Sequence, residues 1–240
     1  MRILVISDIH ANYTALEAVL KDAGAVDETW CLGDMVGYGP DPNAVVEEIR
    51  DIANLTCILG NHDMAAIGKM PLEAFNGDAR RSLEYHQKVL SASSMGFMRS
   101  LSANVKVCGE ATLAHGSPRD PLWEYILNTL TARLNFDSFD TPWCFVGHSH
   151  IQCLFALDED TDRVTVNQSK VDETIDLCPK MILNPGSVGQ PRDRDPRLSF
   201  GILEEDELTF EIVRLPYDNK RASEKILLEG LPASLAYRLL

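Results

Sequence analysis

Trp143-Cys144-Phe145-Val146-Gly147-His148-Ser149-His150 is an apolar run that ends on two histidines spaced two apart. In extended chain, residues i and i+2 point to the same face. A strand ending here is expected to aim both imidazoles into one pocket at its C-terminal end. Neutral imidazole is a ligand for borderline transition metals. The same design recurs upstream. Arg2 to Ile6 is an apolar, β-branched run that fits a strand buried on both faces, and it leads into Asp8 and His10. Thr29 to Leu32 leads into Gly33-Asp34, Leu55 to Leu59 into Gly60-Asn61-His62-Asp63, and Ala111 to Ala114 into His115.

Between these runs the pattern turns helical. Leu16, Val19 and Leu20 share a face and stop near Gly24. Asp41-Pro42 reads as a cap with proline in the first turn of a helix over Asn43 to Ile52. Asp78 to Leu101 is mainly helical and Leu122 to Leu134 reads as another helix. His86, among polar neighbours, reads as a surface histidine without a role. After His150 the texture changes to short strand-like runs, Gln152–Leu157, Arg163–Asn167, Met181–Leu183, Leu198–Leu203 and Leu208–Leu215. Strand–helix alternation followed by mostly strand implies two mixed β-sheets packed face to face with helices outside, an α/β four-layer α-β-β-α sandwich. The whole of 1–240 is expected to form a single domain, with 216–240 as a C-terminal helical tail broken at Gly230 and Pro232.

Bulk composition narrows the function. A formal charge of −14 over 240 residues offers no basic stripe for duplex nucleic acid or an anionic membrane surface. The six cysteines lie far apart without a C-x-x-C pair, so they are expected to be reduced and mostly buried, which suits a cytoplasmic protein. Neither a signal peptide nor a bilayer-spanning run is legible.

The donors at the run ends are Asp8, His10, Asp34, Asn61, His115, His148 and His150: two carboxylates, one amide and four imidazoles. An aspartate at a strand end is by itself a turn former or helix cap, and a single core histidine is by itself a hydrogen-bonded structural residue. The coincidence argues otherwise, because five of the six histidines fall at these five places. Seven donors exceed one ion's needs and suit two ions sharing a bridging carboxylate.

Asp8-x-His10, Gly33-Asp34, Gly60-Asn61-His62-Asp63, His115 and Gly147-His148-x-His150 together resemble the motif set of the calcineurin-like metallophosphoesterases. Asn184 to Asp193 resembles a loop of that family's small bacterial and archaeal phosphodiesterase-type branch. The resemblance implies a dinuclear metal-dependent phosphoesterase acting on phosphodiester or phosphomonoester bonds of a small phosphorylated substrate. It implies that Asp8, His10, Asp34 and His150 hold one divalent ion, and that Asp34 bridges to a second completed by Asn61, His115 and His148. Manganese is the foremost candidate, with iron, nickel, cobalt or zinc also compatible. A metal-bridging hydroxide would be the nucleophile and His62 the general acid. Asp63 would either orient His62 or act as a cap.

One departure stands out. Phosphoprotein phosphatases and symmetrical dinucleoside tetraphosphate hydrolases carry an arginine soon after the bridging aspartate, where this chain has Gly37-Tyr38-Gly39. Arg119, Arg192, Arg194 and Arg197 are candidates to replace it, although Arg194 and Arg197 read better as partners of adjacent acids. The competing reading is an interaction scaffold of the same fold with little or no turnover, which would have no need of His62. A nuclease is disfavoured by the missing basic patches. The tail after Tyr217 is compatible with packing on its own chain or in a homo-oligomer.

Overall fold

The apolar runs become the strands that carry the donors. β1 (Arg2–Ile6), β2 (Glu28–Cys31) and β3 (Leu55–Cys57) lie parallel and adjacent. The structure, a computed structural model, describes residues 1–167 and 173–240. Side chains of β1 alternate: Ile3 and Val5 enter one apolar cluster and Leu4 and Ile6 another, all buried. A strand covered on both faces has no place for a polar side chain, which is why the run reads as continuous.

The second sheet is seeded in the same way by β5 (Ala111–Leu113) and β6 (Trp143–Phe145), with β4 (Lys106–Cys108) antiparallel to β5 at its edge. It is completed by β7 (Cys153–Asp158), β8 (Arg163–Asn167) and β10 (Met181–Asn184), in the order β4-β5-β6-β10-β7-β8. β9 (Thr174–Asp176), β11 (Leu198–Glu204) and β12 (Thr209–Leu215) return to the first sheet, giving β3-β2-β1-β11-β12-β9. Both sheets are mixed: β5, β6 and β10 run parallel, while β11 is antiparallel to β1.

Three clusters define the layers. Ile3, Val5 and Trp30 meet Leu113, Phe145 and Leu183 between the sheets. On the outer face of the first sheet, Leu4, Ile6 and Phe200 pack under α1 (Tyr13–Ala23), α2 (Pro42–Asp51) and α5 (Ala92–Ser100). On the outer face of the second, Cys144, Phe155 and Ile182 pack with Ala132 and Phe136 of α6 (Thr129–Phe136). The result is the α/β sandwich expected from the sequence, helices outside two face-to-face sheets. α3 (Asn61–Ala66) and α4 (Gly77–Val89) stand at the strand ends, and α7 (Asn219–Leu228) and α8 (Ala233–Tyr237) form the tail. The tail buries Ile226, Leu231, Leu235 and Leu239 in one cluster with Tyr38 and Ala79.

Several expectations are corrected. The helix expected over Leu122 to Leu134 begins only at Thr129. Asp120 Oδ1 accepts from the Leu122 and Trp123 amides, and Glu124 is drawn to Ser117 and Asn135, so the first half is held as irregular chain. Asn128 then caps a new start by accepting from Thr131 N at 2.9 Å. The Asp78–Leu101 stretch is two helices, divided where Ser91 caps α5. Asp41 stands at the N-cap of α2, but its carboxylate pairs with Lys225 instead of capping. Of the cysteines, all free, Cys31, Cys57 and Cys144 are buried, Cys108 and Cys153 half-buried and Cys178 exposed. No helix among the described residues is long and apolar enough to cross a membrane.

Candidate metal centre

The parallel strands β1, β2, β5 and β6 deliver Asp8, His10, Asp34, His115, His148 and His150 just beyond their C-terminal ends, and α3 begins on Asn61. All seven side chains are buried. The backbone there is not extended, as the i, i+2 spacing had suggested. Asp8, His10, Asp34, His148 and His150 all have positive φ, from 50° to 65°. Non-glycine residues rarely occupy this left-handed region, and each costs on the order of 1 kcal/mol or more. The kinked backbone sends the two histidines of Gly147-His148-Ser149-His150 into different donor groups. Two glycines allow the close approach that follows: a Cβ on Gly60 would overlap the Asp34 carboxylate, and one on Gly147 would overlap Ser7.

The donor atoms form two groups, Asp8 with His10 and His150, and Asp34 with His115 and His148, the atoms of each lying within 4.8 Å of one another. Asp34 Oδ2 lies 3.3 Å from His115 Nε2 and 3.7 Å from His10 Nε2, so it touches both. Asn61 Oδ1 lies 3.3 Å from His115 Nε2. His10 Nδ1 donates to Val36 O, His115 Nδ1 to Leu32 O and His150 Nδ1 to Gln190 O, at 2.9, 2.9 and 2.6 Å. In neutral imidazole this leaves each Nε2 with its lone pair facing the centre. His10 and His150 bring those two Nε2 atoms to 3.0 Å. Asp8 Oδ1, Asp34 Oδ2 and His148 Nε2 are buried without any hydrogen-bond partner. Acceptors without donors, converging in one buried place, fit divalent cations and little else.

Charge says the same. Burial pushes His10 and His150 well below the ordinary histidine range, and His148 down to about 3, keeping them neutral as ligands must be. Burial would lower His115 too, but the Asp34 carboxylate outweighs it and holds a proton there up to about 9. Burial raises Asp8 to about 6, with Asp34 adding to the rise. Two buried carboxylates this close call for positive charge between them.

Around the donors lies a cavity of about 160 Å³, lined by Tyr38, His62, Phe75, Trp123, Tyr125 and Arg192 along with ligand residues. His62 gives its backbone N–H to Asp34 Oδ1 at 2.9 Å. Its Nδ1 is buried against Gly37 without a partner, and burial lowers its pKa to about 4. Of the two roles open to Asp63, its carboxylate takes the cap: it accepts from Gly60 N and Val36 N, both at 3.0 Å, and makes no hydrogen bond to His62. Burial and the nearby Asp34 charge raise it to about 7.

His86 is not a surface residue. It is fully buried, its Nδ1 accepts from Gly37 N at 3.0 Å and its Nε2 donates to Gly39 O at 2.8 Å. It thereby clamps both ends of the Gly37-Tyr38-Gly39 turn. The only hint in the sequence is its helical phase with Ala79, Ser82 and Leu83, also buried in α4. Among the arginines, Arg119 pairs with Glu124 and Arg197 with Asp195, and Arg194 is exposed outside this cavity. Arg192 lines the cavity, its Nη2 3.2 Å from both Tyr38 Oη and Gln190 Oε1.

Comparison with known proteins agrees with this geometry. A family model described as the calcineurin-like phosphoesterase superfamily domain matches residues 1–208. An uncharacterized protein, MJ0912, of Methanocaldococcus jannaschii is 38% identical over 243 residues, covering 99% of this chain and 96% of that protein. The crystal structure of a metallophosphoesterase from Sphaerobacter thermophilus superposes with a TM-score of 0.91 at 46% identity, covering 100% of this chain and 98% of that one. A shorter likeness, 35% identity over 72 residues, joins 28% of this chain to 26% of a symmetrical bis(5'-nucleosyl)-tetraphosphatase of Photorhabdus laumondii.

Proposed function

The chain belongs to the calcineurin-like phosphoesterase superfamily, and from that premise we propose that it is a metal-dependent phosphoric ester hydrolase acting on a small phosphorylated substrate. The observation that carries the proposal is the pair of donor groups, linked where Asp34 Oδ2 of one comes within 3.7 Å of His10 Nε2 of the other, with buried acceptors that have no hydrogen-bond partner. Asp8, His10 and His150 would hold one divalent ion and Asn61, His115 and His148 the other, Asp34 serving both. Bound there, two divalent cations supply the Lewis acidity that activates water near neutral pH and clamps an in-line displacement at phosphorus. Two such ions less two aspartates leave about +2, enough to attract phosphate into a protein of net charge −14.

The chain's own residues complete the chemistry. His62 is the proton donor to the leaving oxygen: Nδ1 is packed against Gly37, so Nε2 is the nitrogen left for the cavity. An anionic phosphoester beside the ring raises its proton affinity from the low value that burial imposes. Asp63 acts at one remove, fixing the turn that presents Asn61 and His62. Manganese suits the mixed nitrogen and oxygen donors, and diesters and monoesters are both open to the site. Residues 1–240 read as one domain whose tail folds back on it, and six free cysteines suit the cytoplasm.

The test is manganese-dependent release of p-nitrophenol from bis-p-nitrophenyl phosphate and from the monoester. Asp34→Ala is expected to lose bound metal and turnover, His62→Ala to lose turnover by 10²–10⁴-fold with its metal retained. No turnover of either ester by the fully metal-loaded wild type would return the chain to the scaffold reading.

A further inference from the structure

A histidine that holds a metal through one ring nitrogen commonly gives the other to a hydrogen-bond partner, which fixes the plane of the ring. His10, His115 and His150 do this through Nδ1, to Val36 O, Leu32 O and Gln190 O. His148 is the exception. Its amide donates to Asp8 Oδ2, but its ring makes no hydrogen bond among the described residues. What lies against that ring instead is Tyr125. The two rings are stacked, centroids 4.1 Å apart and planes 8° from parallel. His115 and Trp123 stand 5.0 and 6.5 Å away at steep angles. A flat contact between rings favours one plane, as a hydrogen bond at the ring edge does.

Burial does not put Tyr125 there, since it is 44% exposed and belongs to no helix or strand. Its neighbour Glu124 does. Glu124 Oε2 accepts from Ser117 Oγ at 2.6 Å, Asn135 Nδ2 at 2.8 Å and Arg119 Nε at 3.3 Å, and Oε1 pairs with Arg119 Nη2. Asn135 belongs to α6 and Ser117 follows His115 by two. One carboxylate thus straps the irregular segment both to α6 and to the turn after β5. With Glu124 engaged there, Trp123 and Tyr125 on either side of it line the cavity.

We propose that Tyr125 is a positioning residue for His148: its ring does for that imidazole what main-chain carbonyls do for the other three, and Glu124 anchors it. The inference rests on the metal reading, in which Asn61, His115 and His148 share one ion with Asp34. Two consequences separate it from simple packing. The effect falls on one ion and not the other, because His148 belongs to one donor group only. It also depends on the ring and not on the hydroxyl, because the contact is face to face.

Manganese titrated calorimetrically into the metal-free chain is expected to show two binding steps, one of which Asn61→Ala weakens. Tyr125→Leu keeps much of the bulk and loses the flat face. It is expected to weaken that same step by about tenfold and to leave the other within twofold. Tyr125→Phe should keep wild-type affinity at both, and Glu124→Ala should weaken the step that Tyr125→Leu weakens. Both steps intact in Tyr125→Leu, or Tyr125→Phe as weak as Tyr125→Leu, would overturn the assignment. Both steps weakened alike, with a lower urea midpoint, would assign Tyr125 to packing and overturn it too. A wild type that binds fewer than two ions would remove the two-ion reading and this inference with it. Two ions bound equally well by wild type and Tyr125→Leu would remove the inference alone.

Discussion

Ser7 donates its hydroxyl hydrogen to Asp8 Oδ2 at 2.7 Å, and the amide of His148 donates to the same oxygen at 3.0 Å. These bonds leave Oδ1, which has no hydrogen-bond partner, as the oxygen available to the proposed metal. Groups that orient a ligand in this way typically contribute 10–100-fold to metal affinity. Ser7→Ala is therefore expected to weaken manganese binding by that factor, measured by calorimetry; an affinity within twofold of wild type would mean that Asp8 needs no such support. His86 gives a second test. Burial lowers it to about 4, opposed by its bond to Gly39 O. Its folded value lies below the unfolded one of about 6.5, so its contribution to stability is whole above about 6.5 and is lost as pH falls toward 4. In metal-free protein, the gap in urea midpoint between wild type and His86→Gln should be widest above pH 6.5 and narrow on acidification. A gap that grows toward acid would contradict the buried, neutral state. The seven side chains that the structure brings together could be picked out because each follows an apolar run. His86 could not, since Glu84, Tyr85, Gln87 and Lys88 around it give no sign that α4 presses that one side chain under the Gly37 turn.

At the scale of elements, β10 ties the turn after its neighbour β6 to the loop that follows β10 itself. Asn184, its last residue, donates through Nδ2 to Gly147 O and Ser149 Oγ and accepts from Gly186 N through Oδ1. One buried side chain thus holds both the histidine turn and the loop that carries Gln190 and Arg192. Asn184→Ala is expected to cost about 1–3 kcal/mol by denaturant titration, because it strands buried groups. It should also weaken metal binding, which a simple loss of packing would not do. Buried strands were readable from their apolar composition, even β5 and β6 with three residues each. β4 and β9 were not, because Lys106-Val107-Cys108 and Thr174-Ile175-Asp176 lie mostly exposed and make no apolar run. The false helical reading of residues 122–128, the part of the Leu122 to Leu134 stretch that precedes α6, has a different cause. Its apolar spacing is real, but Asp120, Glu124 and Asn128 take up backbone and side-chain bonds that a continuous helix would need elsewhere.

For the whole molecule, the two-sheet layering followed from the shift between alternating strand–helix and mostly-strand texture. What could not be read was where the tail goes, since that depends on surfaces made by distant segments. α7 and α8 pack against Tyr38 and Ala79, and Lys225 pairs with Asp41 at the start of α2. The tail thus backs the turn that carries Tyr38, and through Tyr38 the Arg192 guanidinium. Leu235, 1% exposed, is its central anchor. Leu235→Ala is expected to cost about 2–5 kcal/mol in a urea titration. A change below 1 kcal/mol would mean that the tail is only loosely attached.

The positive φ angles at Asp8, His10, Asp34, His148 and His150 carry a consequence for directed evolution. Left-handed backbone at five buried candidate ligands is a local cost that activity, not stability, requires, so a random library selected only for survival at high temperature should accept replacements there that relax the main chain, yielding hardier but inert descendants.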